Sequence, residues 1–268
     1  MEQKENRYNI RAVDRAVRIL SVLSDGKPRT LTELSEEIGI NSSTTFRLLA
    51  TLAYNSYVER DGQSGAYRPG LACLELAQAY HESNDIRQAA LPALETLRDD
   101  TKETVHLAVL DKMEVVYVEK LHGLHAIGLM SSRVGGRSPA YCTGVGKVLL
   151  AYISPELIRS HFEKVGLHRY SEATIQSLDE LIDHLERVRR QGYALDRGEH
   201  EPEVRCVAAP IFDMAGTAVA AISVSGPAGR MEPLEAKLGL VNKTRETARS
   251  ISARLGYREG GHNAEPSQ

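Results

Sequence analysis

The feature that narrows the fold most is a pair of short helical patterns joined by Gly39-Ile40-Asn41. Thr30 stands three residues before Glu33, the spacing of a capping box, and Leu31, Leu34 and Ile38 form an apolar stripe that Gly39 ends. Asn41 or Ser42 can cap the next helix, whose inward face falls on Thr45 or Phe46, Leu48, Leu49 and Leu52. Two helices joined by a turn of three or four residues containing Gly make a helix-turn-helix. Upstream, Val13, Ala16, Val17, Leu20 and Leu23 recur at helical spacing until the Asp25-Gly26-Lys27-Pro28 turn. Downstream, Tyr57 to Arg60 and Ala66 to Arg68 flank Asp61-Gly62-Gln63-Ser64-Gly65, the pattern of a β-hairpin, here a wing.

The second helix of that motif carries the chemistry. Ser42, Ser43, Thr44 and Thr45 place short hydroxyls near its N-terminal end, and Arg47 adds a guanidinium, groups suited to phosphates and base edges in a major groove. A plain, well-capped helix start would show the same hydroxyls, and bulk charge does not decide between the two. The formal net charge is -3, and basic and acidic residues balance over residues 1–80, so there is no general polyanion-binding excess.

With 268 residues, and roughly 150 per domain, the chain is long enough for two domains. A helix from Leu71 to about His81 is interrupted by the turn formers Glu82 to Asp85. A second, Ile86 to about Thr101, contains Pro92, which costs a helix interior about 3 kcal/mol and predicts a kink or a late start. Strand patterns follow at 105–110, 115–119, 126–130, 206–212 and 218–225, with helical patterns at 146–152, 155–165, 178–191 and 234–255. This order describes an α+β domain whose antiparallel sheet is covered by helices. The expected division is a winged helix-turn-helix over 1–70, a linker helix over 71–82, a second domain over 83–258, and a disordered tail over 259–268.

No apolar run approaches the ~18 residues of a membrane span and no signal segment opens the chain, so the expected setting is cytoplasmic, away from membranes. The scattered Cys73, Cys142 and Cys206 fit neither a disulfide framework nor a CxxC motif.

Thr143-Gly144-Val145-Gly146-Lys147-Val148 lacks both the earlier glycine and the Ser/Thr of a phosphate-binding loop. Its glycines still allow close backbone approach, so N–H groups near Gly144 and Val145 can face a small anion. His122 and His125 have metal-ligand spacing, and His200 precedes Cys206, yet no third ligand accompanies either. No GxSxG elbow is present, so no metal, cofactor or catalytic residue is expected. Ser223 and Ser225 alternate with Ile222 and Val224, which puts both hydroxyls on one face; if that face points inward they need partners.

Taken together, several segments resemble the IclR family of bacterial transcriptional regulators over essentially the whole ordered length. They are Val13 to Leu20, Leu31 to Leu34, Ser43 to Leu49, Tyr67 to Gly70, Thr143 to Lys147, Arg205 to Pro210 and Ala221 to Pro227. The resemblance implies a winged helix-turn-helix that binds a double-stranded DNA operator, a linker helix, and a GAF-like effector-binding domain. It also implies dimers that pair into tetramers, and a small-molecule effector, often a carboxylate or an aromatic acid. Carried over by motif position, the effector would meet the backbone of Gly144 and Val145 together with Asp196, Cys206, Ser223 and Ser225. Asn41-Ser42 departs from the Pro-Lys that many members carry, removing a cation from the recognition helix. The segment Ile251 to Tyr257 is similar to the branch that regulates sugar-acid catabolism, such as the 2-keto-3-deoxygluconate regulators. The function implied is a ligand-responsive repressor of catabolic genes. The alternatives from other classes are a small-molecule enzyme acting through Cys206 or Asp196, and a sensory module whose helix-turn-helix serves only dimerisation.

Overall fold

The computed structural model describes residues 9–83, 85–124 and 130–258, leaving aside the side chains of 81 and 234–238. Most of the apolar run at 126–130, together with His125 and the tail 259–268, lies outside the described residues. The chain divides into two compact units, one reaching residue 84 and one starting at Asp85.

In the first unit, α1 (Arg11–Leu23), α2 (Leu31–Ile38) and α3 (Ser42–Tyr54) precede a hairpin of β1 (Val58–Arg60) and β2 (Tyr67–Pro69), followed by α4 (Leu71–Ser83). The local chemistry sets the helix ends. The Thr30 hydroxyl accepts from the Glu33 N–H at 3.3 Å while the Glu33 carboxylate accepts from the Thr30 N–H at 2.7 Å. Gly39, at φ 67°, ends α2 in the left-handed region, and the Asn41 side chain caps α3 by accepting from the Thr44 N–H at 2.9 Å. An additional bridge between Arg29 and Tyr67 ties the hairpin to the loop before α2.

The buried face of α1 differs from the expected stripe. Ile19 and Leu23 carry the contact with Leu34, Leu49, Val58 and Tyr67, whereas Val13 and Val17 are 57% and 54% exposed. The helix has two apolar faces, and one chain covers one of them. On α4, Leu71, Leu74, Leu76 and Tyr80 are likewise exposed. Gly70 is required where the hairpin passes into α4: a Cβ there would sit 2.2 Å from the Ser56 carbonyl oxygen.

The second unit is a six-stranded, fully antiparallel sheet, ordered β5-β4-β3-β8-β7-β6, with helices on both faces. Its strands are β3 (Thr104–Asp111), β4 (Glu114–Leu121), β5 (Arg137–Pro139), β6 (Ala194–Asp196), β7 (Val204–Phe212) and β8 (Ala218–Pro227). On one face Leu107, Val207, Ile211, Ile222 and Val224 pack against α5 (Asp85–Thr101), α9 (Ala228–Leu238) and α10 (Leu240–Arg254). On the other face Ala108, Val115, Ala208 and Ala221 meet α6 (Gly144–Leu150), and with it α7 (Pro155–Val165) and α8 (Leu178–Gln191). Each fully buried Leu or Ile contributes about 1.5–3 kcal/mol to holding these layers.

The structure departs from two expectations. α5 starts at Asp85 and runs through Pro92 rather than starting late. The last helical pattern is two helices, because Gly239 adopts a left-handed conformation at φ 56° between α9 and α10. The short edge strands β5 and β6 carried no pattern long enough to read.

Candidate functional site

On the α6 side of the sheet, antiparallel registration lines up chemistry from four strands. One rung runs Thr104, Ser225, Cys206, Asp196, and the next runs His106, Ser223, Ala208, Ala194. Alternation makes Ser223 and Ser225 neighbours on one face, and that face points inward. Both serines are buried, their hydroxyls lie 3.2 Å apart, and the Nδ1 of His106 is 3.3 Å from Ser223 and 3.4 Å from Ser225. The other ring nitrogen, Nε2, shares a 2.9 Å hydrogen bond with the Ser132 hydroxyl.

These groups surround a small cavity, about 30 Å³, whose lining also includes Tyr117, Ser138, Gly144, Val145, Asp196 and Cys206. That is room for a water or two. Its rim is clasped: the Ser131 N–H and hydroxyl both donate to the Glu201 carboxylate, at 2.9 and 2.5 Å, and Lys120 Nζ donates to the Ser132 carbonyl. Burial pushes the His106 pKa down to about 3, with Lys120 and His122 adding repulsion, so its imidazole is neutral at pH 7. The same loss of solvent drives the Cys206 thiol well up, against the Ser225 hydroxyl bond, and holds it protonated.

The two glycines of Gly144-Val145-Gly146 have different reasons. A Cβ on Gly144 would approach the Cβ atoms of Cys206, Ala208 and Asp196 at 3.3, 3.4 and 3.7 Å, so its absence lets the start of α6 lie close on β7. A Cβ on Gly146 would sit 2.3 Å from the Ala140 carbonyl oxygen, so that glycine serves packing. Next to it Lys147 is fully buried, donating to the Leu195 carbonyl at 2.7 Å and pairing with Glu199. Asp196 Oδ1 accepts from the N–H groups of Gly198 and Glu199 at 3.0 and 2.9 Å. Burial raises both carboxyl groups above their ordinary range, against the pull of Lys147.

The structure therefore brings Gly144, Val145, Asp196, Cys206, Ser223 and Ser225 to one cavity. Sequence reasoning missed His106, Lys147 and the Ser131–Glu201 clasp. Two signals were present: an imidazole inside the apolar run Val105 to Leu110, and a lone lysine in a helix otherwise apolar on every side.

In the first unit Ser42, Ser43 and Arg47 are exposed at the start of α3 and Thr44 is half-buried. Thr45 is a correction. It is fully buried and its hydroxyl donates to the Asn41 carbonyl at 3.2 Å, because it stands four and seven residues before Leu49 and Leu52 on the core side of the helix. Phe46, 51% exposed beside Arg47, had been an alternative for the inward face.

Among the described residues no three His, Cys, Asp or Glu are grouped to hold a metal, and no helix is long and apolar enough to cross a membrane. Residues 12–62 match the IclR helix-turn-helix domain, and residues 78–253 match the bacterial transcriptional regulator IclR C-terminal domain. The chain belongs to the IclR family of bacterial transcriptional regulators. It is 35% identical to the HTH-type transcriptional regulator KdgR of Escherichia coli, over 90% of this chain and 91% of that one. The transcriptional repressor IclR of the same organism is 32% identical over 83% of this chain and 82% of its own. An IclR homolog from Microbacterium hydrocarbonoxydans, solved with 4-hydroxybenzoate, superposes with a TM-score of 0.79 at 30% identity. That match covers 91% of this chain and 98% of the homolog. The IclR-family chain is thus a DNA-binding transcriptional regulator with an effector domain.

Proposed function

We propose that this IclR-family chain is a cytoplasmic, effector-controlled repressor of catabolic genes whose effector is a small organic acid, with sugar acids the favoured class. The observation that carries this reading is the convergence of Ser223, Ser225, Asp196, Cys206 and Gly144-Val145 on one small cavity. In this reading residues 1–70 bind the operator, 71–82 link, and 83–258 hold the effector. An acid larger than the present cavity opens the Ser131–Glu201 clasp as it enters. Relatives named KdgR and repressor IclR support the sugar-acid class and the repressing sign. The neutral Cys206 and the lack of an oriented base beside it favour a sensor over an enzyme.

Arg47 is assigned to a base edge, with Ser42, Ser43 and Thr44 on phosphates or neighbouring bases. Two chains pair through apolar residues exposed on α1 and α4, setting two α3 helices roughly 34 Å apart on a pseudo-palindromic operator. Two such dimers form a tetramer. The test has two arms. A thermal-shift screen of small carboxylates should find a ligand that stabilises the chain, by about 2.7 kcal/mol at 100 times its dissociation constant, and Ser223→Ala should abolish that shift while retaining operator binding. Arg47→Ala should cost about 1–3 kcal/mol of operator affinity and relax preference at one base position in a selection assay. An unchanged footprint and preference would remove α3 from the interface.

A further inference from the structure

The cavity contains a mismatch with the ligand class proposed for it. Among the described residues its lining holds two carboxylates, Asp196 and Glu201, and neither ammonium nor guanidinium. The ammonium groups close to it are engaged: Lys147 with Glu199 and the Leu195 carbonyl, Lys120 with the Ser132 carbonyl. Lys147 is one cation facing two buried carboxyl groups, so ionising both Asp196 and Glu199 leaves one negative charge without a cation beside it. An acid anion placed beside them adds a further negative charge to a largely buried site, where like charges do not all stay ionised.

We infer that an organic-acid effector enters this cavity together with one proton, taken from solution and held by the Asp196–Glu199 pair. The inference rests on the effector reading above and concerns the ionic form in which the site accepts its ligand. The pair has a place for the proton. Glu199 Oε2 is buried without a hydrogen-bond partner, on a side chain 9% exposed, and the two backbone donors to Asp196 both go to Oδ1. The Glu199 N–H donates to Asp196, and the nearby Asp196 charge adds to the burial that raises the Glu199 carboxyl.

The other groups around the pair do not supply the missing charge. Cys142 and Cys206 are thiols pushed up by burial and remain neutral. His106 and His184 are held neutral, burial taking them down to about 3 and about 4. Tyr117 stays protonated, Glu201 adds charge of the wrong sign, and burial lowers His200. Arg205 on β7 draws Asp196 downward, yet its guanidinium donates to the Pro202 and Val204 carbonyls. The raised pKa of both acids accords with a proton being available to either.

The experiment is isothermal titration of the full-length protein with pyruvate and with 2-keto-3-deoxygluconate, in buffers of equal pH and different ionisation enthalpy. The expected result is a slope of observed heat against buffer ionisation enthalpy near one proton taken up per ligand. Affinity should fall up to about tenfold per pH unit on the alkaline side. In Asp196→Asn the slope should drop to near zero and affinity should lose its pH dependence. A zero slope with measurable binding in the wild type overturns the inference and leaves the effector reading standing. Uptake that persists undiminished in Asp196→Asn overturns the assignment to this pair. Absence of both heat and thermal stabilisation with either 2-keto acid overturns the sugar-acid reading and this inference with it.

Discussion

Lys147 and Glu199 illustrate what single residues decide here. Lys147 is fully buried and Glu199 nearly so, so neither can turn to water if the other is removed. Lys147→Met should therefore destabilise the second unit by about 3–5 kcal/mol, and Lys147→Met combined with Glu199→Leu should recover most of that loss in urea denaturation. His106 gives a pH signature whose sign follows from its environment. Its folded pKa lies near 3 against an ordinary 6.5, so as pH falls below 6.5 the unfolded chain takes up a proton that the folded chain refuses. Stability is lost progressively down to about pH 3. His106→Asn should flatten that acid limb relative to wild type; identical limbs would show that His106 is not held neutral. Both residues were visible in the sequence and neither was chosen, because a buried lysine and a strand histidine declare themselves only when their partners, Glu199 and Ser223, arrive from more than fifty and more than a hundred residues away. Ser223 and Ser225 were readable because alternation alone fixes their shared face. Thr45 was read both as an inward residue and as a DNA contact, and its burial keeps only the first, because one residue's rotation on α3 separates a groove-facing hydroxyl from a core one.

At the level of elements, legibility followed length and punctuation. The Thr30–Glu33 capping box and Gly39 marked α2, and the long strands β3, β4, β7 and β8 showed their alternation. β5 and β6 span three residues each, too few for a period of two to stand out. The apolar stripe of α1 was legible as helical and ambiguous in direction, since Ile19–Leu23 and Val13–Val17 offer two faces and tertiary contact chose the first. Glycines make a sharp test of element packing. Gly146→Ala must push α6 away from the Ala140 carbonyl and should lower the melting temperature by several degrees. Gly229→Ala, with nothing within 4 Å of its new methyl, should leave it unchanged or slightly raised. Equal effects would mean that α6 tolerates displacement.

For the molecule as a whole, the exposed leucines and valines of the first unit matter most. Val13, Val17, Leu71, Leu74 and Leu76 are each more than half exposed in a single chain, and covering them is the expected gain of pairing. Leu74→Asp should shift the protein toward monomer in light scattering and weaken operator binding without lowering the stability of either unit. A dimer of undiminished strength would place the interface elsewhere. The sheet of the second unit has its own bearing on assembly. Each of its borders is a stub of three residues, and the outer one at β5 finishes on Pro139, which has no amide hydrogen to offer. A stray strand that docks on either border strand finds only a three-residue ladder to extend, a poor template for fusing copies of this chain into continuous β-structure.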